Sequence, residues 1–287
     1  MDATAHTPES APAGTDPTGE VWILGATGRI GRPVAARLLA QGLTPVLVGR
    51  DSERLHRLRE DLGRGADVPL VVADGTEAVV AEIGRRRPAV VVNTLGGYGD
   101  AAVRTARACM PGGHYLDLAN DLTALPRLFA LQHEAVDAGS SVLTGVGFGV
   151  LATEAVVVSL CEGRPTPDHV RVDALASVGT EAGVVGEALA GSLLDGLAIG
   201  GRRYRGGRLV GDRIGADPQR IALPDGESVT AAGISSGELL AAQRASGALS
   251  VTAASNHAPT GRAARLALPL LSALVSPRPV RRPALRG

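Results

Sequence analysis

The sequence predicts a doubly wound, parallel α/β sheet followed by an α+β region built on a mainly antiparallel sheet. Three observations carry this reading. Short apolar runs alternate with amphipathic stretches from Glu20 to about Gly149, the rhythm of strands joined by crossover helices. The first run, Val21 to Leu24, passes into Gly25-Ala26-Thr27-Gly28-Arg29-Ile30-Gly31, where a glycine recurs at every third position between a strand and a helix. Beyond Gly149 the alternation stops, and apolar runs are separated by turn residues instead.

The elements follow in order. After the strand Val21 to Leu24, the first helix carries Ile30, Val34, Leu38 and Leu39 as its inward stripe and stops at Gly42. Pro45 to Gly49 is the second strand. The helix from Ser52 to Leu62 takes Ser52 as its N-cap and turns Leu55, Leu58 and Leu62 to one face. Leu70 to Ala73 forms a third strand, and a short helix near Val79 to Arg86 leads to Ala89-Val90-Val91-Val92-Asn93, a continuous apolar run of the kind buried in a parallel sheet. A helix from about Asp100 to Met110 ends at Pro111-Gly112-Gly113. The strand His114 to Leu118, a helix from about Leu125 to Ala138 and the strand Ser141 to Thr144 complete the set. Right-handed crossovers then put every strand's carboxyl end on one edge, so that Gly25, Arg50, Asp74, Asn93 to Tyr98, Asp117 and Gly145 line one crevice.

In the second region Val150 to Cys161 reads as a helix, His169 to Val178 as a strand and Ala182 to Ile199 as a long helix. Tyr204-Arg205-Gly206-Gly207-Arg208-Leu209-Val210 has the form of a hairpin. Further strands are expected at Gln219 to Leu223 and Leu249 to Ala253, and a last helix at about Gly261 to Val275, free to return to the first domain. The organisation expected is a disordered tail over 1–19, a nucleotide-binding domain over 20–149, an α+β substrate or dimerisation domain over 150–275 and a basic, proline-rich tail over 276–287.

Composition narrows the classes. At 287 residues and 45% apolar the chain has ample material for a core, and no apolar run reaches the roughly 20 residues of a membrane span. The Met1 to Gly19 stretch has neither a basic start nor an apolar stretch, so a cytoplasmic protein is expected. The formal net charge is zero, which gives no electrostatic pull toward nucleic acid or an anionic membrane. Arg278, Arg281, Arg282 and Arg286 make the last stretch either a solvated tail or a binding arm. Cys109 and Cys161 fit a reduced interior, and no histidine has metal-ligand spacing, so no metal is expected. Every basic residue counted is arginine. The absence of lysine excludes a Tyr-x-x-x-Lys pair, a Schiff-base lysine and a phosphate-loop lysine.

The glycine turn carries the chemistry. A strand that ends in this pattern and runs into a helix points backbone N–H groups outward at the helix N-terminus, where they hold a pyrophosphate, as in a Rossmann-type dinucleotide site. Gly25 permits the turn, Gly28 lets phosphate approach and Gly31 lets the helix pack close, with Thr27, Arg29 and Ile30 between them in the cofactor-binding set. Arg50 stands at the end of the second strand, where such folds read the adenine ribose. A guanidinium there favours a 2′-phosphate, and hence NADPH (NADP), unless Arg50 pairs with Asp51 or Glu53 instead. Asp74 is equally suited to accept from the adenine amino group or to cap the next helix. Asn93, Leu95, Gly96 and Gly97 belong where backbone meets the nicotinamide side, and Tyr98 is either a proton donor or an ordinary loop aromatic. Asp117 leads a cluster with Asn120 and Asp121. A carboxyl in a desolvated crevice works as a general acid, whereas Asp121 reads better as a helix cap. His114 and Asp117 lie on opposite faces of their strand and form no catalytic pair.

With these residues in view the chain resembles the saccharopine dehydrogenase-like NADP-binding family, and within it the trans-acting enoyl reductase branch. The resemblance runs through Gly25-Ala26-Thr27-Gly28, Gly49-Arg50-Asp51 with Glu53-Arg54-Leu55, Val91-Val92-Asn93-Thr94-Leu95-Gly96, Tyr115-Leu116-Asp117-Leu118 and Gly147-Phe148. It continues through Gly179-Thr180, Leu194 with Gly196-Leu197, Gly200-Gly201 and Gly207-Arg208-Leu209-Val210. It departs where Gly97 replaces a proline, Asp121 a glutamate and Gly149 an aspartate, and in a shorter C-terminal part. The resemblance implies an NADPH-dependent oxidoreductase that delivers hydride to an imine or activated C=C bond of a small-molecule substrate, with Tyr98 and Asp117 as the catalytic candidates. Two alternatives stand beside it: an atypical short-chain-type reductase or isomerase, which the missing lysine disfavours beside Tyr115 and Asn120, and a non-catalytic NADP(H)-binding sensor. The second region's sheet, with a spare edge, is suited to a homodimer.

Overall fold

The computed structural model describes residues 19–63, 67–175 and 199–258. The described residues fall into two compact units. One takes Met1–Asn93, Arg104–Tyr115 and Ala130–Val142, and the other Thr94–Val103, Leu116–Phe129 and Leu143–Gly287.

The first sheet has six strands in the order β3-β2-β1-β4-β5-β6, from β1 (Val21–Leu24), β2 (Val46–Gly49), β3 (Leu70–Val72), β4 (Val90–Asn93), β5 (His114–Asp117) and β6 (Val142–Leu143). β1 pairs in parallel with both β2 and β4, with Leu24 opposite Val48 on one side and Asn93 on the other. β2 and β3 are also parallel, with Gly49 opposite Val72. This is the doubly wound order, built from strands too apolar to face water: Trp22, Ile23 and Leu24 are each at most 1% exposed.

Helix α1 (Gly31–Ala40) buries Gly31, Ala35 and Leu39, an i, i+4, i+8 stripe that packs with Ile23 and Leu47. The stripe expected to begin at Ile30 is therefore displaced by one position. Ile30 is 46% exposed, because only Gly31 is small enough for the point where helix and turn touch. Helix α2 (Ser52–Asp61) is capped not by Ser52 but by Asp51, whose Oδ1 accepts the Arg54 N–H at 3.0 Å. Asp51 has the extended backbone an N-cap requires, whereas Ser52 is already helical. Helix α3 (Gly75–Arg86) starts a turn earlier than its apolar pattern suggests, and α4 (Gly99–Cys109) follows β4. The single helix expected between β5 and β6 is two, α5 (Ala124–Phe129) and α6 (Gln132–Asp137). The chain turns at Ala130 and Leu131, and Leu128 and Leu131 are each 2% exposed.

The second sheet runs β10-β11-β12-β8-β9, with β7 also paired to β12. Its strands are β7 (His169–Ala174), β8 (Gly201–Arg205), β9 (Arg208–Asp212), β10 (Gln219–Ala222), β11 (Ser228–Gly233) and β12 (Ser250–Ser255). Every pairing is antiparallel except β7 with β12. β8 and β9 form the expected hairpin, with Arg205 opposite Arg208. Gly206 at φ 58° and Gly207 at φ 73° supply the two positive-φ residues of a tight two-residue turn. Helix α7 (Phe148–Cys161) precedes β7, and α8 (Glu238–Ser246) lies between β11 and β12. β11 and α8 are absent from the sequence reading. The long helix expected at Ala182 to Ile199, the end of the strand expected to reach Val178, the helix at Gly261 to Val275 and both terminal tails lie outside the described residues, apart from Ile199 and Gly19.

Candidate functional site

Within the first unit the register of β1, β2, β3 and β4 brings Gly25, Arg50, Asp74 and Asn93 to the carboxyl ends of neighbouring strands. Gly25 stands at φ +73°, a conformation that an L side chain rarely adopts. Its N–H and that of Ala26 donate to Val48 O at 3.0 and 3.1 Å, which ties the turn to β2. Gly28 N–H closes the loop on Gly25 O at 2.8 Å. A Cβ on Gly31 would stand 2.3 Å from Gly25 O, 2.7 Å from Ala26 Cα and 2.9 Å from Ala26 O, all backbone atoms, so nothing larger fits. A Cβ on Gly28 would meet only Gly25 O, at 3.0 Å. Gly28, Arg29 and Ile30 face solvent, and α1 has no side-chain N-cap. Arg32 N–H donates to Gly28 O at 3.1 Å and Val34 N–H to Ile30 O at 3.2 Å, and Pro33 has no N–H, so it is the N–H groups of Arg29, Ile30 and Gly31 that are open to a ligand.

Arg50 is exposed, and neither acidic neighbour holds it. Asp51 accepts the Arg54 N–H, and Glu53 pairs with Arg57 at 3.9 Å. Asp74 occupies the N-cap position of α3, and its side chain accepts no capping hydrogen bond. Asn93 is 5% exposed, and its Nδ2 donates to the hydroxyl of Tyr115 at 2.9 Å, which holds the side chain at the end of β4. His114 accepts the Ser141 N–H through Nδ1 at 3.0 Å.

The second unit holds the remaining candidates. Leu95, Gly96 and Gly97 are exposed in the loop before α4, with Gly97 at φ +73°. Tyr98 follows. Burial pushes its hydroxyl well above the usual tyrosine pKa, and the charges of Asp117 and Asp121 push the same way against a hydrogen bond from the Leu118 backbone. Asp117 is fully buried, and its Oδ1 accepts from Ala119 N–H at 3.0 Å, Gly145 N–H at 3.1 Å and Thr144 Oγ1 at 2.7 Å. Three donors on one carboxylate oxygen pin the loop that leaves β5. Asp121 caps α5, accepting from Thr123 and Ala124 N–H at 2.9 and 2.7 Å. Sequence reasoning missed Glu238, which is 3% exposed in the first turn of α8 and bonded to Asn120 Nδ2 at 3.3 Å. No pattern in the sequence pairs residues so far apart.

Among the described residues no group of His, Cys, Asp and Glu is arranged to hold a metal ion, and no helix is long and apolar enough to cross a membrane. Both cysteines are free.

No protein-family model matches the chain. A trans-acting enoyl reductase of Mycobacterium tuberculosis is 33% identical over 146 residues, which cover 49% of this chain and 35% of that protein. The Mycobacterium leprae protein of the same name is 32% identical over 146 residues. A Streptomyces violaceoruber protein named as a ketoacyl reductase of granaticin polyketide synthase is 33% identical over 144 residues, 47% of this chain and 51% of that one. Among solved structures, a metagenomic short-chain oxidoreductase in complex with NADP overlaps 44% of this chain and 80% of its own at 19% identity and a TM-score of 0.35. A Mycobacterium smegmatis short chain dehydrogenase overlaps 47% and 81% at 22% identity and a TM-score of 0.35. The matched part spans about a third of the length of the enoyl reductases, and over that part the chain is homologous to them.

Proposed function

We propose that the protein is an NADPH-dependent reductase that delivers hydride to an imine or an activated C=C bond of a small-molecule substrate. The observation that carries this reading is the β1–α1 turn: Gly25 at positive φ, Gly31 with no room for a Cβ, and an uncapped helix N-terminus at the carboxyl edge of a doubly wound sheet. The similarity to enoyl and ketoacyl reductases supports it, and the saccharopine dehydrogenase-like family is the one we place it in.

The residues fit the cofactor. Thr27, Arg29, Ile30 and Gly31 would hold the pyrophosphate through backbone N–H groups, Gly25 and Gly28, whose own N–H groups are bonded within the turn, would leave it room, and Arg50 would pair with the 2′-phosphate. The Asp51 carboxylate is held at the start of α2 by the Arg54 N–H and does not pair with Arg50. Asp74 would accept from the adenine amino group, and Asn93, Leu95, Gly96 and Gly97 would line the nicotinamide side. When bound, the cofactor supplies the hydride. Tyr98 stays a neutral phenol throughout the physiological range, since burial and Asp117 hold its proton on. It therefore yields that proton only to a strongly basic centre, such as an enolate or a reduced imine nitrogen. This chemistry runs without lysine, the partner that would pull a tyrosine pKa down rather than up. The domain bounds of 20–149 and 150–275, a homodimer through the second sheet and a cytoplasmic location belong to the same proposal.

Titration of the full chain with NADPH and NADH tests it. NADPH binds more tightly, and Arg50→Ala cuts the preference roughly tenfold or more, the worth of one charge-assisted contact. A preference for NADH, or equal loss of both cofactors in the variant, refutes the assignment. The ketoacyl reductase similarity favours a second reading, reduction of a C=O bond. NADPH consumption with a β-ketoacyl thioester and not with an enoyl thioester or a cyclic imine would select it.

A further inference from the structure

We propose that Glu238, Asn120, Ser236 and Gly149 form a polar subsite in the second unit that takes a hydrogen-bond-donating group, O–H or N–H, of a small-molecule ligand. Glu238 is 3% and Ser236 is 6% exposed, and each buries a side-chain oxygen with no partner, Oε2 of the glutamate and Oγ of the serine. Buried polar atoms in folded proteins are nearly always paired, so two orphans within one turn ask for a ligand. The other oxygen of Glu238 is held in place. Asn120 Nδ2 donates to Oε1 at 3.3 Å, and Asn120 Oδ1 accepts the Gly237 N–H at 2.6 Å, which clamps the start of α8 to the loop after β5.

Glu238 lies in the first turn of α8, and Gly149 in the first turn of α7, so the positive ends of two helices meet at this group. A Cβ on Gly149 would stand 2.8 Å from Glu238 Oε1 and 3.0 Å from Asn120 Nδ2, so the absence of a side chain there is what makes room for the carboxylate. Among the described residues no arginine forms an ion pair with Glu238. The buried Oε2 has two lone pairs and no partner, and a ligand group that donates a hydrogen bond would satisfy it. Asn120 is exposed, which places the carboxylate one side chain beneath the surface. Asn120 stands two residues after Leu118, whose backbone is hydrogen-bonded to Tyr98, in the loop that leaves β5. Calling the ligand a substrate rests on the reductase reading, whereas the donor-binding chemistry stands without it.

Three five-membered rings test the subsite by calorimetric titration of the full chain: cyclopentanol, pyrrolidine hydrochloride and tetrahydrofuran, which only accepts. At least one donor ring should bind about tenfold tighter than tetrahydrofuran. Glu238→Met, which deletes the acceptor and keeps the volume, should abolish the difference, and NADPH affinity measured on the same samples should not change. A tighter pyrrolidinium assigns a cationic N–H, and a tighter cyclopentanol a hydroxyl. Equal binding of the three rings, no binding by any of them, or a donor preference that survives in Glu238→Met overturns the proposal. Should the methionine variant fail to fold, Gly149→Ala, which displaces the carboxylate, is read by the same criteria. NADPH that fails to bind the parent protein removes the reductase reading and leaves the ring result intact.

Discussion

Gly31→Ala tests the packing of the nucleotide turn with a single methyl group. The new Cβ would lie 2.3 Å from Gly25 O, 2.7 Å from Ala26 Cα and 2.9 Å from Ala26 O. All three are main-chain atoms, so no rotamer change relieves the clash, and the start of α1 or the turn must move by on the order of 1 Å to restore normal contact distances. Overpacking of this kind costs about 1–3 kcal/mol. For a chain of this size that lowers the melting temperature by roughly 3–10 °C. NADPH affinity should fall at the same time, because the N–H groups that hold the pyrophosphate belong to the segment that moves. Trp22, the one tryptophan and fully buried in β1, gives an intrinsic fluorescence signal for urea unfolding and for the titration. Two comparisons separate packing from binding. Gly84→Ala lies in α3 with nothing within 4 Å of the new Cβ, and should be stabilising by about 0.5–1 kcal/mol. Gly28→Val meets only one backbone oxygen and is exposed, so it should fold and yet lose NADPH. A Gly31→Ala protein with parental stability and affinity would refute the close-packing argument.

Catalysis and pH give two more tests. Tyr98→Phe should lower turnover of an identified substrate by about 10²–10⁴ with cofactor affinity unchanged, and Asp117→Asn, by removing a charge that disfavours the phenolate, should move the Tyr98 titration back toward the ordinary range without reaching it, because burial remains the larger cause. Spectrophotometric titration of the tyrosines checks the shift, and unchanged turnover in both variants removes them from the chemistry. Stability should decline above about pH 9, where unfolded Cys109 begins to lose a proton from its ordinary value of 9.0 while burial pushes the folded thiol up to about 12. Tyr98 and Tyr204 add to the decline from 10.0 upward for the same reason. Urea midpoints measured across that range should fall, and Cys109→Ala should flatten the first part of the slope.

The first sheet was legible in the sequence because each of its determinants is local. β1, ending at Leu24, and the glycine turn are set by residues within a few positions of one another, and right-handed crossovers leave few ways to order six such strands. The hairpin at Gly206-Gly207 is local in the same sense, since both glycines adopt the positive φ that a two-residue turn requires. Where two local signals competed, backbone geometry chose between them. Ser52 and Asp51 both suit an N-cap, but Asp51 has the extended backbone and takes the role. Ile30 and Gly31 both adjoin the inward stripe of α1, and the backbone of the turn admits only the glycine. Ser228–Gly233 and Glu238–Ser246 escaped detection because small residues such as Ala231, Ala232, Ala241 and Ala242 carry weak periodicity and become core only when β12 and α7 cover them.

The candidate site divides along the same line. Gly25 to Gly31, Arg50 and Asp74 follow from spacing along the chain, because a strand, its turn and the next helix lie together by connectivity. The hydrogen bonds of Asp117 to Thr144 and Gly145, and the buried Oε2 of Glu238 behind Asn120, depend on atoms brought together from distant positions. Whether a charged group is paired, buried or free is a property of its neighbours in space, and a linear sequence lists neighbours of another kind.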